Sequence, residues 1–111
     1  VEATLASALL PSSHDETLER TTNGRGRVVD HQASALASLD AGSWFDAAHR
    51  GEPVPTFRAA AQLCRSFGLW ANVEIKPAAG QDIETGQRAA LVAAEIWRDA
   101  PTPTAPLLSS F

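Results

Sequence analysis

Residues 69–75 read Leu-Trp-Ala-Asn-Val-Glu-Ile, a near-continuous apolar run of strand length with no alternation. A strand that is apolar on both sides needs cover on both faces, as in parallel sheets flanked by helices. Parallel neighbours in turn need long crossover connections, usually helical. The flanking segments have that character. Residues 56–67 predict a helix with Thr56 as N-cap and Gly68 just past its end. Phe57, Ala60, Ala61, Cys64 and Phe67 fall on one apolar stripe of that helix. A second long helix is predicted over 84–99, with Ala89, Val92, Ala93 and Ile96 inward. The proline-rich stretch 100–106 ends it, and 106–111 closes the chain as a short apolar strand. Helix, strand, helix, strand with short connections predicts parallel βαβ units of the α/β class.

Upstream the pattern is less regular. Residues 1–13 are small and apolar, carry no charge between Glu2 and His14, and fit neither helix nor strand. They mimic a short signal-peptide core but have no basic segment before it, and we do not read them as one. Residues 14–31 are polar, with Asn23-Gly24 and Gly26 as turn signals. They predict a loop holding one helical turn, with Asp15 as its cap. A short helix is expected over 32–40, ended by Ala41-Gly42. Residues 41–55 then read as an irregular connection, with Trp44 and Phe45 anchoring it to the body.

Composition excludes several function classes. The net charge of −4 provides no basic field for nucleic acid or an anionic membrane surface. No segment approaches the roughly 20 apolar residues needed to span a bilayer. The lone Cys64 excludes an intrachain disulfide, argues against a cysteine zinc site and fits a reducing cytoplasm. The first residue is Val1 rather than Met, from which we expect an internal piece of a longer chain.

Candidate chemistry sits at strand ends, where parallel α/β folds bind their ligands. Glu74 and Lys76 lie two apart at the end of the 69–75 strand and so face the same side of the sheet. A carboxylate there can hold a hard divalent cation, and a neighbouring ammonium a phosphate oxygen. The same two residues also make sense as an ion pair that satisfies itself, and the residues alone leave both readings open. His14, which begins the polar loop, suits proton transfer at neutral pH. Taken alone it reads better as a solvated loop histidine. His31 and His49 read as surface residues and Cys64 as core packing.

Three segments in order shift that balance. "HDETLERTTNGRG" at 14–26, "LDAGSWF…GEPVPTF" at 39–57 and "NVEIKP" at 72–77 resemble the glycerophosphodiester phosphodiesterase family, of its bacterial cytosolic type. The resemblance covers roughly residues 14–111, and the closing "LLSSF" is similar to a later strand of that family. It implies a phospholipase C-like TIM (β/α)8 barrel that hydrolyses glycerophosphodiesters to glycerol 3-phosphate and an alcohol with a divalent cation, Mg²⁺ or Ca²⁺. On that resemblance His14 is a catalytic histidine, Glu74 a strand-end metal ligand and Lys76 a contact to the substrate phosphate. The family's upstream Glu-x-Asp metal pair has its nearest counterpart in Glu2-Ala3-Thr4, so that Glu2 is a candidate metal ligand with Thr4 in place of the aspartate. The family's opening His-Arg-Gly does not stand upstream of residue 14. The triplet His49-Arg50-Gly51 aligns elsewhere and is read as coincidence.

A whole TIM barrel takes about 250 residues. We therefore expect residues 1–111 to form one partial domain, roughly the middle third to half of a barrel, with 1–13 divergent. The implied partner is a small glycerophosphodiester, with neither nucleic acid nor a membrane span. The isolated piece is expected to be inactive and to self-associate through its open strand edges. The alternative reading is a non-catalytic remnant that binds a phosphate ester or packs against a partner.

Overall fold

Phe57 lies at the centre of the larger of two apolar clusters, fully buried among Ala61, Ala71, Val73, Ala89, Ala93 and Trp97. The computed structural model describes the backbone of residues 2–3 and all of residues 13–110. Within these, three strands form one parallel sheet in chain order: β1 (Glu2–Ala3), β2 (Asn72–Ile75) and β3 (Leu107–Ser110). The helices are α1 (Ala33–Ala37), α2 (Phe57–Ser66) and α3 (Asp82–Ile96).

Both ends of α2 follow from its sequence. Thr56 Oγ1 accepts from the Ala59 amide at 3.1 Å and occupies one of the orphan donors of the first turn. At the other end Gly68, at φ +64°, donates to the Arg65 carbonyl, and Leu69 donates to that of Cys64. This is a Schellman closure, which favours a glycine at the left-handed position. It also shortens the predicted strand. Leu69 is spent on the helix end and, like Trp70, lies exposed, so β2 starts at Asn72 rather than at 69. Phe67, placed on the α2 stripe by spacing, is exposed because it already sits in the C-cap.

α3 runs from Asp82 to Ile96, two residues earlier at its start than predicted and three earlier at its end. Ala89 and Ala93 are buried as expected, and Val92 and Ile96 pack at the edge of the same cluster. Two further residues join that face, Thr85 and Trp97. The Thr85 hydroxyl is buried with no hydrogen-bond partner among the described residues.

The sheet has two unlike faces. Val73 and Ile75 pack on the α2–α3 cluster. Side chains alternate along a strand, so Asn72 and Glu74 lie on the other face. Glu74 is in register with Ser109 of β3, and Ser109 Oγ donates to Asn72 Oδ1 at 3.0 Å. The expected cover on both sides is thus seen on one side only among the described residues. Val73 is the fully buried position of β2, and Glu74 is half-buried.

Residues 14–55 build a second, smaller lobe around Leu18, Val28 and Leu36, with Leu39 at its edge. Backbone bonds from Leu18 to Gly26 and from Val28 to Glu16 close the 16–28 loop on itself. Asn23 then ties that loop to the next: its amide donates to Asp40 O, and its side-chain oxygen accepts from Asp40 N. Asp40 in turn accepts from the Gly42 amide and from both the amide and hydroxyl of Ser43. At Gly42 a Cβ would fall 1.8 Å from the His49 carbonyl oxygen, so no other residue fits there without moving the backbone. The motif residues Asn23, Asp40 and Gly42 are therefore scaffold.

Two expectations for this lobe are overturned. Asp15 does not cap a helical turn; the 3-10 turn within 14–31, Val28–Asp30, lies well downstream, and Asp15 is engaged by Arg20. Trp44 and Phe45 do not anchor the connection to the body. Both are exposed and pack edge-on to each other, and the Trp44 indole N–H donates to the Ala41 carbonyl. His49 is exposed as expected, while His31 is half-buried, with Nδ1 2.8 Å from the Arg27 carbonyl.

Candidate active site

The seam between the two lobes brings together residues 62 positions apart. Lys76, the residue after β2, extends its ammonium to His14: Nζ is 3.4 Å from His14 Nε2 and 3.5 Å from the His14 carbonyl oxygen. Glu74 Oε1 lies 3.9 Å from the same ammonium. These three contacts are long for hydrogen bonds, so a closer anionic oxygen can displace them. Pro77 follows at once, which turns the chain out of the ladder and leaves Lys76 at the strand mouth.

His14 is oriented from its other ring nitrogen. Nδ1 sits 2.9 Å from Asp15 Oδ1. The Asp15 carboxylate is itself held by Arg20, with Nε to Oδ2 at 2.5 Å and Nη2 to Oδ1 at 2.8 Å. A two-pronged guanidinium–carboxylate pair of this kind fixes direction as well as charge. It also holds the Asp15 carboxyl well below the usual carboxylate range, with the bond to His14 contributing next. An ammonium only donates and a carboxylate only accepts, so these contacts suit the tautomer with its proton on Nδ1, toward Asp15, and its lone pair on Nε2. The imidazole therefore offers a lone pair, on Nε2, at the seam. Its side chain is 68% exposed, so solvent or a ligand reaches it directly.

A cleft of about 190 Å³ opens at this point, walled by His14, Asp15, Val29, Lys76 and Pro77. A second cleft of about 240 Å³, within the small lobe, shares His14 with the first. Of the residues singled out in the sequence, His14, Glu74 and Lys76 thus come together. The side chain of Glu2 lies outside the described residues. Its backbone pairs in register with Glu74, on the neighbouring strand. Asp15 and Arg20 are the site residues that sequence reading passed over. Their signal was an acid and a base five apart, directly after the histidine, a spacing that no regular helix or strand would explain.

Known proteins resemble this chain in sequence and in fold. Residues 12–105 match the model of the "Glycerophosphoryl diester phosphodiesterase family". A glycerophosphodiester phosphodiesterase of Bacillus subtilis (strain 168) is 42% identical over 71 residues, 57% of this chain and 23% of that protein. One from Caldanaerobacter subterraneus subsp. tengcongensis is 41% identical over 63 residues, 57% of this chain and 26% of its own length. Among solved structures, an Oleispira antarctica phosphodiesterase in complex with the product sn-glycerol-3-phosphate superposes with a TM-score of 0.81 at 28% identity. The glycerophosphodiester phosphodiesterase of Agrobacterium tumefaciens does so at 0.65 and 32%. Each structural match takes in 99% of this chain and 44% of the other. The chain is thus an α/β part of a TIM-barrel architecture and spans less than half of the proteins it matches.

Proposed function

From its place in the glycerophosphoryl diester phosphodiesterase family, to which this chain belongs, we propose that it contributes the proton-transfer and phosphate-binding groups for hydrolysis of glycerophosphodiesters. The products are glycerol 3-phosphate and an alcohol. The observation that carries this reading is the His14 ring, with Nδ1 tied to Asp15 and Nε2 3.4 Å from the Lys76 ammonium at an open cleft.

In this reading Lys76 takes a non-bridging phosphate oxygen, replacing its long contacts to His14 by a charge-assisted bond. Nε2 then accepts a proton from the attacking water as its oxygen bonds to phosphorus. The resulting imidazolium is stabilised by Asp15, which stays ionised because Arg20 holds it. It then delivers the proton to the departing alcohol oxygen as the P–O bond to that oxygen breaks. A new P–O bond from water balances the reaction. Asp15 acts through His14, as a positioning residue.

The family is generally dependent on a divalent metal. Among the described residues no group of three or more His, Cys, Asp or Glu is placed to hold an ion. Glu74 is a single carboxylate with an ammonium 3.9 Å away. A hard cation takes six or more oxygens. Glu74 therefore suits one ligand position of Mg²⁺ or Ca²⁺, and the described residues do not make up a whole site. No helix among the described residues is long and apolar enough to cross a membrane. A cytoplasmic location is part of the proposal, resting on the free Cys64.

The test is release of glycerol 3-phosphate by the full-length protein. His14→Ala is expected to lower kcat by about 10²- to 10⁴-fold. Lys76→Ala should act mainly on KM for the diester. Near-normal turnover by the His14 variant would sink the assignment.

A further inference from the structure

The second cleft shares its His14 wall with the first but is more apolar. Its floor is Leu18, Val28 and Leu36, each at most 2% exposed, and its rim carries Trp44, Val54 and Arg20. Among the described residues, no aspartate or glutamate lines it. Resting on the phosphodiesterase reading above, we propose that this cleft receives the alcohol arm of the diester and selects uncharged, apolar alcohols over cationic ones.

The placement follows from proton transfer. A group that protonates a departing oxygen must lie within hydrogen-bond reach of it. The alcohol therefore leaves against His14, and the apolar cleft adjoins that residue. At about 240 Å³ the cleft is smaller than pockets for drug-sized ligands and suits a group of several heavy atoms. The selectivity follows from the rim. A quaternary ammonium is recognised by open aromatic faces or by carboxylates. Here the Trp44 ring already has the Arg20 guanidinium 5.9 Å from its centroid. Arg20 cannot swing away cheaply, because it also clamps Asp15. A cationic head group would meet a fixed positive charge and lose the ring face, whereas an alkyl group would meet the apolar floor.

The experiment uses the full-length protein and a series of sn-glycero-3-phospho esters of methanol, ethanol and butanol, with the choline ester beside them. The expected result is a rise in kcat/KM of about fourfold per methylene, the value for burying that group. The butyl ester is expected to exceed the choline ester at least tenfold. Val54→Trp, which fills the cleft, and Trp44→Ala, which removes a wall at an exposed position, should each bring the butyl-to-methyl ratio down toward one. A flat alkyl series in the unmodified protein, a choline ester as good as the butyl ester, or an unchanged ratio in both variants overturns this proposal and leaves the phosphodiesterase reading standing. Absence of glycerol 3-phosphate from every ester overturns both.

Discussion

The body around Val73 and the lobe around Leu18 are held in different ways. In the body, two helices and a strand bury Phe57, Val73, Ala89 and Trp97 against one another, and the arrangement is carried by apolar area. In the lobe the buried cluster is Leu18, Val28 and Leu36, and the chain around it is tied by carboxylates, amides and one glycine that admits no Cβ. Among the described residues, the acids drawn below their ordinary values, Asp15, Glu19, Asp30 and Asp40, all belong to the lobe. The candidate site takes His14 from the polar lobe and Lys76 from the apolar body. Its two halves should therefore fail under different stresses.

The largest test of that contrast is a pair of core truncations. Phe57→Ala is expected to cost about 3–5 kcal/mol and Leu36→Ala about 2–5. Read by amide hydrogen exchange, Leu36→Ala should release Leu18 and Val28 while Val73 stays protected. Simultaneous loss at all three would show one cooperative unit and break the comparison. Next in size is Gly42→Ala. Its Cβ meets backbone rather than a side chain, so the lobe must shift, at about 1–3 kcal/mol. A denaturant midpoint followed at Trp44 should move, whereas one followed at Trp97 should not.

Acid sharpens the contrast further. Asp15 is depressed chiefly by Arg20, and Asp40 chiefly by the Ser43 hydroxyl and then the Ser43 and Gly42 amides. A depressed folded pKa contributes stability that is whole above the unfolded value, 3.8 for these groups, and is lost as pH falls toward the folded value. Between neutrality and about pH 4 the lobe should hold. Below that, amide signals of Leu18 and Val28 should broaden before that of Val73. The reverse order would contradict the assignment of polar ties to the lobe. The smallest effect concerns the body alone. Thr85→Val removes a buried hydroxyl without a described partner and should be neutral or stabilising by up to about 1 kcal/mol, measured by urea unfolding.

How much of this the sequence conveyed depended on how local the cause was. The ends of α2 were legible because Thr56 and Gly68 act within a turn of the helix. The inward face of α3 was legible because helical spacing aligns Ala89 with Ala93. The start of β2 was not. Leu69 and Trp70 are as apolar as a strand residue, but the helix closure claims Leu69 first. Trp44 and Phe45 misled in the same way, since composition says nothing of which surface a ring finds. At the site, Glu74 and Lys76 could be placed from parity along a strand. Their meeting with His14 could not, because it spans 62 residues and came only through family resemblance. The clamp by Asp15 and Arg20 was missed because an acid after a loop histidine also reads as a cap.

The exposed apolar residues of the body carry a further expectation. Leu63, Trp70, Leu91 and Leu107 stand open in this chain. The isolated 111-residue polypeptide should sediment as associated species, and a clean monomer would contradict that.

The clamp on His14 closes within five residues of chain, whereas Trp44 belongs to a separate connection that begins only at Ala41. Arg20 serves both the clamp on His14 and the rim of the apolar cleft, whereas Trp44 and Val54 belong to the rim alone. Substitutions and length changes at 44–54 can therefore alter the cleft rim while the Asp15–Arg20 pair is kept. The same spacing gives a laboratory evolution experiment its natural boundary: diversify 44–54, and hold 14–20 fixed.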